Sequence, residues 1–296
     1  MTRSSIDILA PAKLNLYLGV HEGHDETGYH RADSLMVAID LYDTVRLEPA
    51  EGLSVRAIPS LHIPETRNAA YRAAAAFAEA LGREADVAVT IEKRIPYKSG
   101  MGGASSDAAA VLMGLARWWE LEDDDPRILE VAQSIGADVA FFLTGRPTLL
   151  VGRGDVAVES FDDVPHLPLV LVRPEGDGIT AGQAYEDFDR DPVDLPPLEP
   201  MLEALRSRDL AGIRSSMANN LEPVAMRLMP EISEVHNWLL AQDGVQRIMV
   251  TGSGSCTFAI CETAEAARRV AVAAHAERGW WGRPARIMEQ GALIAG

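Results

Sequence analysis

Between Val87 and Ala110 a short strand, a glycine-rich turn and an apolar helix follow one another directly, and this order constrains the fold more than any other stretch. Val87-Ala-Val-Thr-Ile91 is rich in β-branched residues, which predicts a strand. Ile95-Pro-Tyr-Lys-Ser-Gly-Met-Gly-Gly-Ala-Ser-Ser-Asp-Ala-Ala-Ala110 then joins a glycine-rich loop to a helix start. Gly100, Gly102 and Gly103 let the backbone turn tightly and approach a ligand without Cβ interference. Ser105 or Ser106 is expected to cap the helix, in which Ala108, Val111, Leu112, Leu115 and Trp119 recur at helical spacing. Unpaired amides at such a start, with the positive dipole end behind them, suit a phosphate. The loop is not a Walker A motif, because the chain contains no Gly-Lys pair. It is not the dinucleotide fingerprint either, because Ser105 stands five residues after Gly100. Taken alone it is a phosphate cradle or an ordinary glycine turn.

Any anionic ligand must enter against the global field, since the 296 residues carry a formal net charge of −17. That charge argues against general nucleic-acid binding and adhesion to anionic membranes. A hydrophobic content of 47% with 24% charged residues is that of a globular protein long enough for two domains. Of 27 cationic residues, all but Lys13, Lys93 and Lys98 are arginine. A lysine ammonium is a compact, tunable point charge that arginine does not replace at a reaction centre, which singles out Lys13 in particular. Cys256 and Cys261 are five apart on one apolar segment and would face opposite sides of a strand, so no disulfide between them is expected. The first ten residues lack a leader-like apolar core, and no long apolar run follows, so a cytoplasmic location is expected.

The remaining pattern is α+β. Extended segments are expected from Ile6 to Val20, broken around Pro11, and from Ser34 to Leu47. Helices are expected at Asn68–Leu81 and Pro126–Ile135, stopped by Gly82 and Gly136. Further strands are expected at Leu167–Arg173, Arg247–Val250 and Cys256–Cys261, with a final helix from Thr263. The acidic stretch from Asp187 to Pro200, with four prolines, reads as a loop.

Three more segments carry chemistry. In Pro11-Ala-Lys-Leu-Asn-Leu-Tyr-Leu-Gly-Val20, strand alternation places Lys13, Asn15 and Tyr17 on one face and Leu14, Leu16 and Leu18 on the other. Asp138, in Gly136-Ala-Asp-Val-Ala-Phe-Phe-Leu143, is the sole acid of an apolar run and is either a turn residue or a functional acid. Val250-Thr-Gly-Ser-Gly-Ser-Cys-Thr-Phe-Ala259 is a plain hairpin or a loop that lets backbone approach a ligand.

In order along the chain, Pro-Ala-Lys13-Leu-Asn-Leu, Gly28-Tyr-His30, Gly100-Met-Gly-Gly-Ala-Ser-Ser-Asp-Ala-Ala, Gly136-Ala-Asp-Val and Thr251-Gly-Ser-Gly-Ser resemble the GHMP kinase superfamily. The resemblance is strongest to the branch that phosphorylates a cytidine-diphosphate-linked polyol in non-mevalonate isoprenoid synthesis. It implies an N-terminal ribosomal-S5-like βα domain over 1–158, a C-terminal α+β domain over 159–296, and an active site between them. It implies ATP and Mg²⁺ as cofactors, with Asp138 as base and Lys13 beside it. Pro96, Gly100, Met101, Gly102, Gly103, Ala104, Ser105 and Ser106 would line the ATP site, with Ser106 a candidate metal partner. Asn15, Tyr29, His30 and Thr180 would contact the second substrate. Asp107 is expected to organise the loop.

Three departures from the family pattern stand out. Met101 replaces the usual leucine and Ala104 the last glycine of the loop, and Ala104 is tolerable only at negative φ. The proline expected after Thr180 is missing. Two rival readings are a GHMP kinase for mevalonate, homoserine or a sugar, and a non-catalytic nucleotide sensor. A sensor predicts loss of the acid or the lysine, and both are present.

Overall fold

Residues 4–26, 28–162 and 164–295 are described by a computed structural model, so the leader reading at residues 1–3 lies outside them. The strand Ile6–Val20 runs unbroken and pairs antiparallel with Ala32–Pro49 along its whole length. Pro11 does not break it. Proline lacks the ladder N–H, and the pair absorbs this as a register shift between Pro11 and Ala12.

A second shift, between Asn15 and Tyr17, corrects the expected facing of the strand. One extra residue reverses the alternation beyond it. Tyr17 leaves the Lys13–Asn15 face, is fully buried with Leu14 and Leu16, and donates its hydroxyl to Pro196 O at 2.5 Å. Leu18 takes its place on the cleft side.

Among the described residues, twelve strands form one hydrogen-bonded network. Its main path runs Leu293–Ala295, Ile6–Val20, Ala32–Pro49, Trp281–Met288, Pro168–Arg173, Thr257–Cys261 and Val245–Val250. Trp281–Met288, which the sequence reading did not include, pairs with Ala32–Pro49 through Ile287 and Met288 and with Pro168–Arg173 through Trp281–Arg286. It therefore joins the sheets of the two halves. Gly282 and Pro284 lower its strand propensity, and only the pairing on both sides makes it a strand.

Helices Ala69–Ala80 and Gly103–Trp118 cover one face of the N-terminal sheet. Phe77, Val111, Leu112 and Leu115 pack there on Ile8, Val45, Leu47 and Val89. Asn68 caps the first of these helices, accepting from Ala70 N at 2.9 Å. A second core mixes Leu14, Leu16, Leu35 and Ile39 with Leu169, Leu171, Phe258 and Ile287, so the two halves share buried surface. Cys256 faces this core and Cys261 a third one, and both are free thiols.

The acidic, proline-rich loop is shorter than its composition suggests. The helix Ala181–Arg190 takes Asp187, and the helix Glu199–Arg206 takes Pro200 into its first turn, leaving 191–198 as loop. No helix of the described residues is long and apolar enough to cross a membrane.

Candidate active site

A cleft of about 980 Å³ opens between the glycine-rich loop, the start of the chain and the helix Ala181–Arg190. Its floor begins with the strand Val87–Glu92, which runs into the loop and so into the helix Gly103–Trp118. Gly100 and Gly102 have φ of +76° and +70°, the left-handed region that a Cβ disfavours. Gly102 is the N-cap, so the helix starts earlier than a serine cap would place it. Neither serine caps it. The first intrahelical bond, Ser106 N to Gly102 O at 2.9 Å, leaves the amides of Gly103, Ala104 and Ser105 ahead of it, and no side chain caps them. They are left able to donate hydrogen bonds to an anion.

Ala104 lies in the helical first turn, outside the positive-φ residues, which explains how alanine stands where glycine was expected. Pro96, Ala104 and Ser105 line the cleft. Ser106 does not. It is fully buried behind the helix start and its Oγ has no hydrogen-bond partner. The Met101 side chain is core, while its carbonyl accepts from Lys13 N at 3.0 Å and ties the first strand to the loop.

Lys13 and Asp138 meet in the cleft at 3.8 Å, although 125 residues separate them. Asp138 precedes the short helix Val139–Thr144 but its side chain makes no capping bond, so the carboxylate is left to the cleft. The Lys13 ammonium is buried and donates to Asn15 Oδ1 at 2.7 Å, while Asn15 Nδ2 donates to Ser34 Oγ at 2.8 Å. Burial pushes the lysine below its ordinary pKa, and the Asp138 carboxylate opposes that shift.

The second small-residue turn is more than a hairpin. Thr251 is fully buried, accepts from Asn15 N and donates to Asn15 Oδ1, both at 3.2 Å. Cys256 N donates to Ser99 O at 3.1 Å, so this turn is laced to the glycine-rich loop, and Gly252 and Ser253 line the cleft.

Beneath the helix start is a buried cluster for which the sequence offered only half the parts. Lys93 Nζ donates to Asp107 Oδ2 at 2.6 Å and also to Asp43, which accepts from Arg94 N at 2.6 Å and Ile95 N at 2.8 Å. Burial raises the Asp107 carboxyl to about 7, against the pull of Lys93. Asp107 thus ties the helix start to the residue that follows the strand Val87–Glu92. Asp43 was not singled out, because no local pattern marks an acid fifty residues upstream as the lysine's partner.

At the other end of the cleft, Tyr29 is 57% exposed and the Arg153 guanidinium sits 5.2 Å from its ring centre. His30 is buried and stacks on Tyr185 at 5.3 Å and 13°. The sequence marked Tyr29 and His30 but not Arg153, which comes from a loop more than a hundred residues away. Thr180 lines the cleft and caps the helix Ala181–Arg190, accepting from Gln183 N at 3.3 Å and donating to Gln183 Oε1 at 2.8 Å. This capping box accounts for a threonine there even with alanine next to it.

Lys13, Asn15, Tyr29, His30, Asp138 and Thr180 therefore line one cleft with the glycine-rich loop. The models of the GHMP kinase N-terminal and C-terminal domains match residues 68–146 and 201–279. The chain is 35% identical over 298 residues to a 4-diphosphocytidyl-2-C-methyl-D-erythritol kinase of Desulfitobacterium hafniense, covering 98% of this chain and 99% of that protein. It is 37% identical to the enzyme of the same name from Cereibacter sphaeroides, covering 95% of this chain and 99% of that one. A crystal structure of 4-(cytidine 5'-diphospho)-2C-methyl-D-erythritol kinase superposes with a TM-score of 0.77 at 34% identity, over 95% of this chain and 98% of that one. A homoserine kinase from Cytophaga hutchinsonii, 20% identical with a TM-score of 0.76 over 100% of this chain and 98% of that one, shares the fold. An uncapped helix start, a lysine–aspartate pair and near full-length likeness to these enzymes place the chain in the GHMP kinase family of ATP-dependent kinases.

Proposed function

We propose that the chain transfers the γ-phosphoryl group of ATP to the C2 hydroxyl of 4-diphosphocytidyl-2-C-methyl-D-erythritol. The carrying observation is the Lys13–Asp138 pair, set in one cleft between the uncapped helix start and the aromatic end at Tyr29, His30 and Tyr185. A tertiary hydroxyl is a weak nucleophile, so a positioned base helps. Asp138 takes the hydroxyl proton as the oxygen bonds to the γ-phosphorus, and ADP leaves. Lys13, 3.8 Å from Asp138, offsets charge developing on the attacking oxygen. The amides of Gly103, Ala104 and Ser105 hold phosphate oxygens in line.

Mg²⁺ fits the donors present. Asp138 and Ser105 offer oxygen to the cleft, and phosphates supply the rest of a hard-oxygen set. When bound it neutralises phosphoryl charge. Ser106, walled off from the cleft, is a poorer metal partner than its place in the loop suggests.

Tyr29 stacks on the cytosine, steadied by Arg153, and the His30 region reads its polar edge. Asn15 and Thr180 contact the polyol. A division at 158/159 and a cytoplasmic location belong to the same reading. The division is supported by a core above the N-terminal sheet to which the second half adds, among its buried residues, only Ala292. A coupled ADP-release assay comparing the cytidylyl substrate with mevalonate, homoserine and galactose tests the proposed reaction. Turnover on the first alone is expected, and turnover on another would reassign Tyr29 and His30.

A further inference from the structure

At the His30 end of the cleft, His24, His30 and Asp189 each bring a ligand atom within 4.8 Å of the others. His30 Nδ1 lies 3.0 Å from the carbonyl oxygen of His21. A carbonyl has no proton to give, so Nδ1 carries the ring proton and donates. In the neutral ring Nε2 is then a lone pair. It is buried, and it stands 3.1 Å from Asp189 Oδ1 without forming an aligned hydrogen bond. Two acceptors this close repel unless a cation lies between them. A carbonyl on the far nitrogen is also how proteins orient a metal-binding imidazole.

The third donor has the right spacing. His24 Nε2 is 3.5 Å from Asp189 Oδ2, and its ring centre is 4.3 Å from that of His30. Tetrahedral donors about 2.1 Å from a zinc ion are about 3.4 Å apart. The two histidine–carboxylate separations, measured to different oxygens of Asp189, bracket that value. His24 and Asp189 are each about half exposed, so they can rotate to complete the site and leave a fourth position open. The chain's strong negative charge favours a cation there.

We propose that His24, His30 and Asp189 form a site for a divalent transition-metal ion, zinc by donor chemistry, and that the ion competes with the pyrimidine at His30. Binding of the ion stands on the geometry alone. The competition rests on the reading that the base docks at His30. The ion would tie the loop after the first strand to the helix Ala181–Arg190.

Titrating the full chain with Co²⁺ in the absence of ATP, and following its visible absorption, tests the site. One ion per chain is expected, displaced by Zn²⁺. Loss of an outer partner alone weakens metal sites ten- to hundredfold, so His24→Ala and Asp189→Ala should each weaken binding at least about tenfold. Both side chains are surface groups, and circular dichroism verifies the variants' fold. No saturable band, or affinity unchanged in both variants, would overturn the site. In the ADP-release assay, Zn²⁺ should raise KM for the cytidylyl substrate and not for ATP. Zinc bound at the site without that rise would uphold the metal site and remove the pyrimidine from His30.

Discussion

Replacing Gly100 by alanine tests the link between loop geometry and catalysis. A Cβ on Gly100 would lie 2.1 Å from Thr251 O and 3.1 Å from Gly254 O, where ordinary contact begins at 3.4 Å. Both obstacles are backbone, so no rotamer change relieves the clash, and the two turns must part by more than about 1 Å. Thr251 bonds twice to Asn15, and Asn15 accepts from Lys13 at 2.7 Å, so the displacement reaches the Lys13–Asp138 pair. A misplacement of about 1 Å costs on the order of a hundredfold in rate, or about 2.7 kcal/mol of transition-state stabilisation. Gly82→Ala is the control. Its φ is +61° but nothing lies within 4 Å of the added Cβ, so it carries backbone strain of about 1 kcal/mol without a clash. The assay is ADP release with ATP and the cytidylyl substrate, alongside thermal unfolding of both variants. Gly100→Ala should lose about a hundredfold in kcat/KM while Gly82→Ala loses only stability. A folded Gly100→Ala enzyme within about threefold of the parent would refute the coupling.

Three other perturbations follow from the site. Asp138→Asn should lower kcat by more than about a hundredfold with ATP still bound, as expected for loss of a general base; near-normal turnover would end that assignment. Tyr29→Ala should raise KM for the cytidylyl substrate about tenfold, within the worth of one stacked base, and leave KM for ATP alone; equal effects on both would misplace the pyrimidine. Burial raises Asp107 from 3.8 to about 7, so the folded chain holds a proton that the unfolded chain releases. Through this group stability is full below about pH 4 and declines up to about pH 7. Asp107→Asn should flatten that decline, seen as a smaller loss in urea midpoint between pH 5 and pH 8 than the parent shows. Parallel losses in the two proteins would contradict the protonated carboxyl.

Local chemistry made much of this protein legible. The strand, glycine turn and helix from Val87 onward follow from β-branched residues, left-handed glycines and an apolar stripe, all set within a few residues of one another. The caps at Asn68, Asp125 and Thr263 mark helix starts by the same short-range rule, each accepting from an amide two or three residues on. Lys13 stood out because all but three of the chain's cationic residues are arginine, and Asp138 because it is the lone acid of an apolar run.

Contacts across the chain decided the rest. Alternation could not show that a bulge after Asn15 turns Tyr17 into the core, because a bulge is set by the partner strand. Trp281–Met288 has weak strand propensity, and pairing with strands from both halves makes it the seam between the sheets. Which serine meets the cleft was settled by where Gly102 starts the helix, which exposes Ser105 and buries Ser106. Asp43 beneath the loop, Arg153 over Tyr29 and Asp189 beside His30 carry no local mark. Propensity, capping and turn chemistry act over a few residues and are written in the sequence. Which distant charge or ring completes a site depends on pairing register and burial, and these exist only once the chain has folded.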